Sequence, residues 1–420
     1  MRCIAHVLRH LEGTLDSSLD AFRVVVLHGA RQCGKSTLAR RITQRRGGTY
    51  VTLDDDATRD VALADPDTFL RSSDPPLAID EIQLGGDRLV RAVKRLVDGD
   101  PTPGQVLLTG STNFLTVPTI SESLAGRARL LRLWPLSEAE LTGRPPRMID
   151  GWFDGETAGG RVARLDRDGY LSLACRGGYP EVVDLAAELR AAWFESYAET
   201  VLQRDIVALA DVRRGAALSN LLRWTATMTG QELNVSRAAQ TLGLDRATVV
   251  AYVEWLRSVF LVHELPAWSR NLTSRVARRT KVHLCDPGLA ADLLGVTPVA
   301  LSDPRQPATG PLLETFVVDE IAKQLSATSA RIALSHYRDH RGHEIDLVLE
   351  RNDGAVVAVE VKATSSPTAG QLAQSRWLRD RLDATAPGTF RAGVLLHTGS
   401  QAASVGDRLH LLPIAALWAG

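Results

Sequence analysis

Residues 23–42 read RVVVLHGARQCGKSTLARRI. Val24 to His28 is a short apolar run of the kind that forms a buried strand, and from about Ser36 the apolar residues recur at helical spacing. Between them, Gly29, Gly34, Lys35 and Ser36 satisfy the spacing GxxxxGK[ST]. Such a turn brings several backbone N–H groups onto one anion at a helix N-terminus, and glycine permits both the backbone shape and the close approach. Gly29, Ala30, Arg31, Gln32, Cys33, Gly34, Lys35, Ser36 and Thr37 are therefore read as a phosphate cradle. Lys35 is assigned to the β- and γ-phosphates of ATP, and the Ser36 hydroxyl to Mg²⁺.

Working outward, PPLAIDEIQ at 75–83 is a short apolar strand ending in two carboxylates. Following a phosphate cradle at this distance, Asp80 is suited to hold Mg²⁺ through water, and Glu81 to orient and polarise the water that attacks the γ-phosphate. GQVLLTGSTN at 104–113 supplies the next strand. Its polar end carries Thr109, Ser111 and Asn113, of which Ser111 is favoured for the attacking water or the γ-phosphate. SESLAGRARLLRLWPLSEAEL at 121–141 follows.

The chain has 420 residues, too many for one hydrophobic core. Apolar residues make up 45%, charged residues 23%, and Lys+Arg 49 balance Asp+Glu 49. A wholly disordered chain and a histone-like basic coat are both excluded. Only five of the basic residues are lysines: Lys35, Lys94, Lys281, Lys323 and Lys362. Two of these, Lys35 and Lys362, stand at motif positions where a compact ammonium is chemically preferred to a guanidinium. Cys3, Cys33, Cys175 and Cys285 form no CxxC pair, which predicts free thiols. With no membrane-spanning apolar run and no signal-peptide pattern, a cytoplasmic protein is expected.

From Gly143 to Gly169 the composition turns to Gly, Pro, Asp and Arg, which predicts a mobile insertion or linker. RGGYPEVVD at 176–184 then opens a helical run, read as a lid over the nucleotide, with Arg176 where a second sensor could sit. Residues 233–265 predict a short helix, a turn at Gly243, a second helix near Arg246 to Ser258 and a strand, the order of a winged helix-turn-helix. The second helix is apolar on most sides and carries Glu254, so it is poorly suited to a DNA groove. Between Ala267 and His283, Arg270, Arg275, Arg278, Arg279 and Lys281 occur without an acidic residue. A wing gripping nucleic-acid phosphates is one reading, and a solvated or interdomain hairpin the other.

In the last 110 residues, Glu314 lies on the apolar face of a helix with Val317, Val318, Ile321 and Leu325, where a carboxylate needs a partner. EIDLVLE at 344–350 is expected to place Asp346 on one face, with Ile345 and Leu347 on the other. AVVAVEVKA at 355–363 puts Glu360 and Lys362 two apart, on one face of a strand. Three carboxylates and a lysine among apolar strands form a candidate site for Mg²⁺, or Mn²⁺ in its place. Residues 304–420 carry 12 basic and 12 acidic residues, without the excess of positive charge that would attract phosphates.

Two resemblances follow from these residues. The first part resembles the AAA+ ATPases, in which an arginine just before the last core strand reaches a neighbouring subunit's ATP. Arg127 matches that position, with Arg129 as second choice and a plain surface arginine as the other reading; the finger implies a homo-oligomer. The order Glu314, Asp346, Glu360, Lys362 resembles the PD-(D/E)xK restriction-endonuclease-like nucleases, with Glu320 an alternative to Glu314 and Gln371 an accessory position. GARQCGKST, AIDEIQ, LTGSTNF, ISESLAGR, GGYPE, CDPGLAADLLG and GPLLETFVVDEI complete a resemblance to bacterial and archaeal AAA+ ATPases with a winged helix and a C-terminal nuclease-like domain.

The expected fold is α/β: a P-loop core with a parallel sheet at 1–137, a linker and helical lid at 138–215, a winged helix at 216–300 and a nuclease-like α/β domain at 301–420. The expected function is ATP hydrolysis coupled to Mg²⁺-dependent action on nucleic acid, DNA favoured, with no membrane partner. The alternative is a nucleotide-dependent switch whose C-terminal domain binds DNA or a protein without cutting.

Overall fold

The computed structural model describes residues 7–112, 123–145, 148–156, 164–206, 215–270, 279–328 and 330–419. The chain packs as two units. One comprises Met1–Leu136 with Tyr179–Glu181 and Trp255–Leu261; the other comprises Ser137–Gly178, Val182–Glu254 and Val262–Gly420.

In the first unit β1 (Val24–His28), β2 (Tyr50–Thr52), β3 (Leu77–Asp80), β4 (Val106–Gly110) and β5 (Ala128–Arg132) form one sheet in the order β2-β3-β4-β1-β5. Every pairing in it is parallel. A parallel sheet is buried on both faces, which explains the unbroken apolar run of β1. Alternate residues serve opposite cores. Val24 and Val26 pack with Leu89, Val93 and Val97 of helix Gly86–Gly99, whereas Val25 and Leu27 pack with Leu15 and Leu19 of helix Leu11–Ala21 and Leu38 and Ile42 of helix Lys35–Arg45.

The second unit holds two sheets. β6 (Gln231–Glu232), β7 (Val262–Leu265) and β8 (Lys281–Leu284) form a small antiparallel sheet with β8 central. Helices Val235–Leu242 and Arg246–Ser258 lie between β6 and β7 in the chain, separated by a turn in which Gly243 has φ +64°.

The larger sheet contains β9 (Ile332–Arg338), β10 (Glu344–Arg351), β11 (Val356–Lys362), β12 (Phe390–His397), β13 (Ala403–Ser404) and β14 (Leu409–Pro413), in the order β13-β14-β12-β11-β10-β9. Helix Thr309–Ala327 covers one face through Leu313, Phe316, Val317 and Ile321. Helix Ala373–Thr385 covers the other through Leu378 and Leu382.

Two expectations are corrected here. The register of β10 on β9 shifts between Ile345 and Val348. Ile345 and Leu347, expected on one face, therefore belong to opposite cores, since a bulge adds one residue and re-aims the side chains beside it. Within the stretch read as a mobile insertion, Met148–Asp154 is a helix. Its Trp152 and Phe153 are buried in the core of the larger sheet, because aromatic burial outweighs the Gly- and Pro-rich flanks.

Among the described residues no helix is long and apolar enough to cross a membrane. Among the described residues Cys33, Cys175 and Cys285 are not joined by a disulfide, and Cys3 lies outside the described residues.

Candidate functional site

The first candidate site lies at the C-terminal edge of the parallel sheet, where open α/β sheets receive ligands. β1 leads into the loop 29–34, in which Gln32 has φ +57° and Gly34 φ +99°. Gly29 runs so close to the exit of β5 that a Cβ there would stand 2.1 Å from the Leu133 carbonyl oxygen. Gly34 is the N-cap of helix Lys35–Arg45, so the expected cradle meets a helix N-terminus. Lys35 is buried and its Nζ donates to the carbonyls of Gly29 at 3.0 Å and Ala30 at 2.8 Å. Arg9 braces the loop from outside, donating to Cys33 O at 2.7 Å and Trp134 O at 2.6 Å. A lone arginine before the first helix gave no sequence signal for that role.

β3 ends at Asp80, whose two oxygens each accept a hydroxyl: Oδ1 from Thr109 Oγ1 of β4, and Oδ2 from Tyr50 OH of β2 at 2.9 Å. Burial, then the neighbouring Asp80 carboxylate, push the Tyr50 hydroxyl up to about 12. Glu81 follows with φ +55°, a left-handed backbone unusual for glutamate and often associated with function. Its Oε2 accepts from the Gln83 amide, and from Ser111 Oγ at 3.4 Å. Gln83 Nε2 also lies 3.4 Å from Ser111 Oγ. Tyr50 and Gln83 were both missed in the sequence. Gln83 had a signal available, being the last residue of the quoted PPLAIDEIQ.

Beside the loop is a cleft of about 190 Å³ lined by Val7, Arg9, Thr37, Arg41, Leu136 and Pro180, among others. Pro180 comes from the short Tyr179–Glu181 segment that packs in this unit. His28, at the end of β1, is lowered to about 4 by burial and by the positive charges of Arg132 and Lys35, so its ring is neutral at pH 7. Arg127 is paired with Asp98, its Nη2 3.0 Å from Oδ2, and Arg129 sits over the Phe22 ring. Asn113 lies outside the described residues.

The second candidate site is in the other unit. Asp346 Oδ2 accepts from the Val361 backbone N–H at 2.9 Å and lies 3.7 Å from Lys362 Nζ. Glu360 Oε1 accepts from the Ser375 amide at 3.1 Å and hydroxyl at 2.7 Å, while Oε2 is 3.9 Å from Lys362 Nζ. Asp346, Glu360 and Lys362 thus meet as expected.

Glu314 joins them through an unforeseen residue. Lys281 Nζ donates to Glu314 Oε1 at 2.8 Å, and stands 3.2 Å from Glu344 Oε1 and 3.9 Å from Asp346 Oδ1. Burial, then the Asp346 carboxylate, push the Glu314 carboxyl up to about 8, against the pull of Lys281. Lys281 itself is raised: burial opposes its charge, but Glu314 and Asp346 outweigh it.

Lys281 was expected on a phosphate-gripping wing and is corrected: it is 2% exposed and paired. It is a residue of β8, where its side chain is packed among carboxylates that a reading of local charge could not see. Arg270 is exposed, with Nη1 donating to Thr385 Oγ1 at 3.1 Å, and Arg279 is exposed. Arg275 and Arg278 lie outside the described residues.

Three further positions find other partners. Glu320 is held by Lys323 Nζ at 2.9 Å and by the Glu138 backbone N–H at 2.8 Å, so it does not replace Glu314. Arg176 donates to Glu138. Gln371 Oε1 caps the Thr368 backbone N–H at 2.9 Å. Among the described residues no three His, Cys, Asp or Glu side chains are arranged to hold a metal ion.

Residues 21–142 match the model of an AAA domain, 167–300 a domain of unknown function (DUF8612), and 309–417 a second domain of unknown function (DUF4143). Of solved structures, the Walker-type ATPase PABY2304 of Pyrococcus abyssi is similar at 15% identity and TM-score 0.41, over 67% of this chain and 94% of that one. AMPPCP-bound DnaA from Aquifex aeolicus is similar at 12% identity and TM-score 0.30, over 59% and 85% of the two chains. The uncharacterized proteins Mb2031c of Mycobacterium bovis and Rv2008c of Mycobacterium tuberculosis are each 31% identical over 369 residues, covering 87% of this chain and 76% of the relative. The chain belongs to the family of these two mycobacterial proteins and carries, at residues 21–142, an AAA domain of the P-loop ATPase type.

Proposed function

We propose that this protein hydrolyses ATP and uses the cycle as a switch acting on nucleic acid, DNA favoured, through its C-terminal unit. The observation that carries the hydrolysis is the gathering of Lys35, Asp80, Glu81 and Ser111 at the edge of one parallel sheet, with Glu81 held by Gln83 and Ser111. The backbone of 29–34 and the N-terminus of helix Lys35–Arg45 receive the phosphates, for which Lys35 exchanges its carbonyl partners. Ser36 and Asp80 are hard oxygen donors and fit Mg²⁺, which when bound supplies positive charge to the phosphate oxygens. Glu81 orients the attacking water, and the cleft by Val7, Thr37 and Pro180 takes the base.

Arg127 is assigned to a neighbouring copy's γ-phosphate, in a homo-oligomer. The element order Val235–Leu242, Arg246–Ser258, β7, β8 supports a winged helix with Arg270 and Arg279 at its wing. The mixed sheet carrying Asp346, Glu360 and Lys362 supports a nuclease-like C-terminal fold.

Two readings of that fold differ in chemistry: one cuts nucleic acid, the other binds without cutting. The ammonium of Lys281 among Glu314, Glu344 and Asp346 favours the second. The test is ATP turnover by wild type against Lys35→Ala, together with incubation of branched, single-stranded and duplex DNA with Mg²⁺ or Mn²⁺. Turnover that survives Lys35→Ala overturns the first part, and cleavage abolished by Asp346→Ala overturns the non-cutting reading.

A further inference from the structure

A divalent cation at the Glu314, Asp346 and Glu360 cluster would need several ionised oxygens turned toward one point at about 2.0–2.6 Å. One oxygen of each carboxylate is engaged otherwise. Asp346 gives one to Val361 N–H, Glu360 gives one to both donors of Ser375, and Glu314 gives one to Lys281. The side of the cluster shared by Glu314, Glu344 and Asp346 already holds a cation, Lys281 Nζ, within 2.8–3.9 Å of all three. The donor set as arranged does not fit a metal ion.

We propose that Lys281 is a built-in counter-ion that closes this cluster to divalent cations and at the same time ties the small antiparallel sheet to the C-terminal sheet domain. Three features support it. Lys281 is one of only five lysines in a chain with 49 basic residues, so the choice of an ammonium at a buried position is itself selective. An ammonium is compact, with three donors that can reach three carboxylates, whereas a guanidinium is a planar fork suited to one or two.

The second feature is continuity. Two residues on from Lys281, His283 faces the same helix, its Nδ1 3.0 Å from Thr315 Oγ1, and Thr315 in turn meets Thr229 at 2.8 Å. From β7, His263 Nε2 lies 2.9 Å from Asp319. Helix Thr309–Ala327 is thus apolar toward the larger sheet and polar toward the smaller one, and Lys281 begins the polar seam. Third, Lys362 approaches the other oxygen of Asp346 at 3.7 Å and Glu360 at 3.9 Å, so Asp346 stands between two ammonium groups.

This inference rests on the non-cutting reading of the C-terminal domain, and the experiment separates the two. Mn²⁺ binding is followed by electron paramagnetic resonance on the full chain without nucleotide, using wild type, Asp346→Asn, Lys281→Met and Lys281→Met/Asp346→Asn, with near-ultraviolet circular dichroism as the control for folding. Wild type and Asp346→Asn are expected to bind Mn²⁺ equally. Lys281→Met is expected to gain one Mn²⁺ per chain that the double variant loses.

If wild type binds one Mn²⁺ more than Asp346→Asn, the counter-ion role is overturned, and absence of DNA cleavage by the same sample would still leave the non-cutting reading standing. If folded Lys281→Met gains no Mn²⁺ over the double variant, Lys281 does not close the cluster and the inference fails. Should Lys281→Met not fold, Lys281→Gln, which removes the ammonium but keeps a hydrogen-bond donor and all the carboxylates, takes its place with the same two outcomes.

Discussion

The hydroxyl of Tyr50, on β2, donates to Asp80 Oδ2, at the end of β3, at 2.9 Å. With Thr109 on the other oxygen, the carboxylate is fixed by two hydroxyls from the flanking strands. Tyr50→Phe removes one of them. A hydrogen bond to a charged group contributes about 1.5–3 kcal/mol, so the Mg²⁺ concentration that half-saturates ATP turnover should rise by roughly tenfold or more. Steady-state hydrolysis over a Mg²⁺ series measures it. An unchanged midpoint would argue against Asp80 as a Mg²⁺ residue.

Gln83 holds Glu81 through its amide while touching Ser111. Gln83→Leu should free the Glu81 carboxylate to rotate, and misplaced general bases typically cost about 10²-fold or more. The expected outcome is a kcat for ATP reduced by about 10- to 100-fold at a KM within about twofold, because the amide of Gln83 holds Glu81 and Ser111 rather than the loop 29–34 or Lys35. Equal changes in kcat and KM would mean the substitution had damaged binding instead.

Gly177 has φ +72°, and a Cβ there would stand 2.3 Å from Asp286 Oδ1. Asp286 is fully buried and accepts from Gly178, Gly288 and Leu289 N–H groups, capping helix Pro287–Leu293. Gly177→Ala should destabilise the unit by roughly 2–4 kcal/mol, combining backbone strain with a displaced cap. Gly13→Ala is the control. It lies in helix Leu11–Ala21 with nothing within 4 Å of its new methyl, and should stabilise by up to about 1 kcal/mol. Urea unfolding of the two variants should move in opposite directions.

Burial lowers His336 from 6.5 to about 4, although its Nε2–H donates to Arg279 O at 3.1 Å. A base held neutral in the fold takes up a proton on unfolding between those two values, so its contribution is fully present above pH 6.5 and lost as pH falls toward 4. The loss approaches about 1.4 kcal/mol per pH unit within that window. His336→Gln should show a shallower acid dependence of unfolding free energy between pH 6.5 and 4 than wild type. Parallel curves would mean that the ring titrates normally.

The turn proposed as the phosphate cradle was legible as a strand–loop–helix unit because its parts are contiguous: Gly29, Gly34, Lys35 and Ser36 lie in one turn between one strand and one helix. Asp80 and Glu81 were legible as a strand end, and Asp346, Glu360 and Lys362 as residues of two paired strands. Tyr50 and Arg9 were not, since each acts on a residue far along the chain, and neither type has a spacing that betrays the role. Helix Met148–Asp154 was hidden by Gly and Pro around it, whose local preference for loops was outweighed by the burial of Trp152 and Phe153.

Local patterns alone therefore determined the strand and helix around the cradle, the acidic strand end and the meeting of Asp346 with Glu360 and Lys362, because backbone geometry over a few residues dictates each of them. What only the tertiary structure decided is where charge is buried. Lys281 sits in a run of arginines and reads as solvated, yet β8 lies centrally in its sheet against helix Thr309–Ala327, and the side chain has nowhere to go but into the carboxylates of Glu314, Glu344 and Asp346. A desolvated ammonium needs such partners, and their sequence separation, 33 residues to Glu314 alone, places them beyond any local pattern.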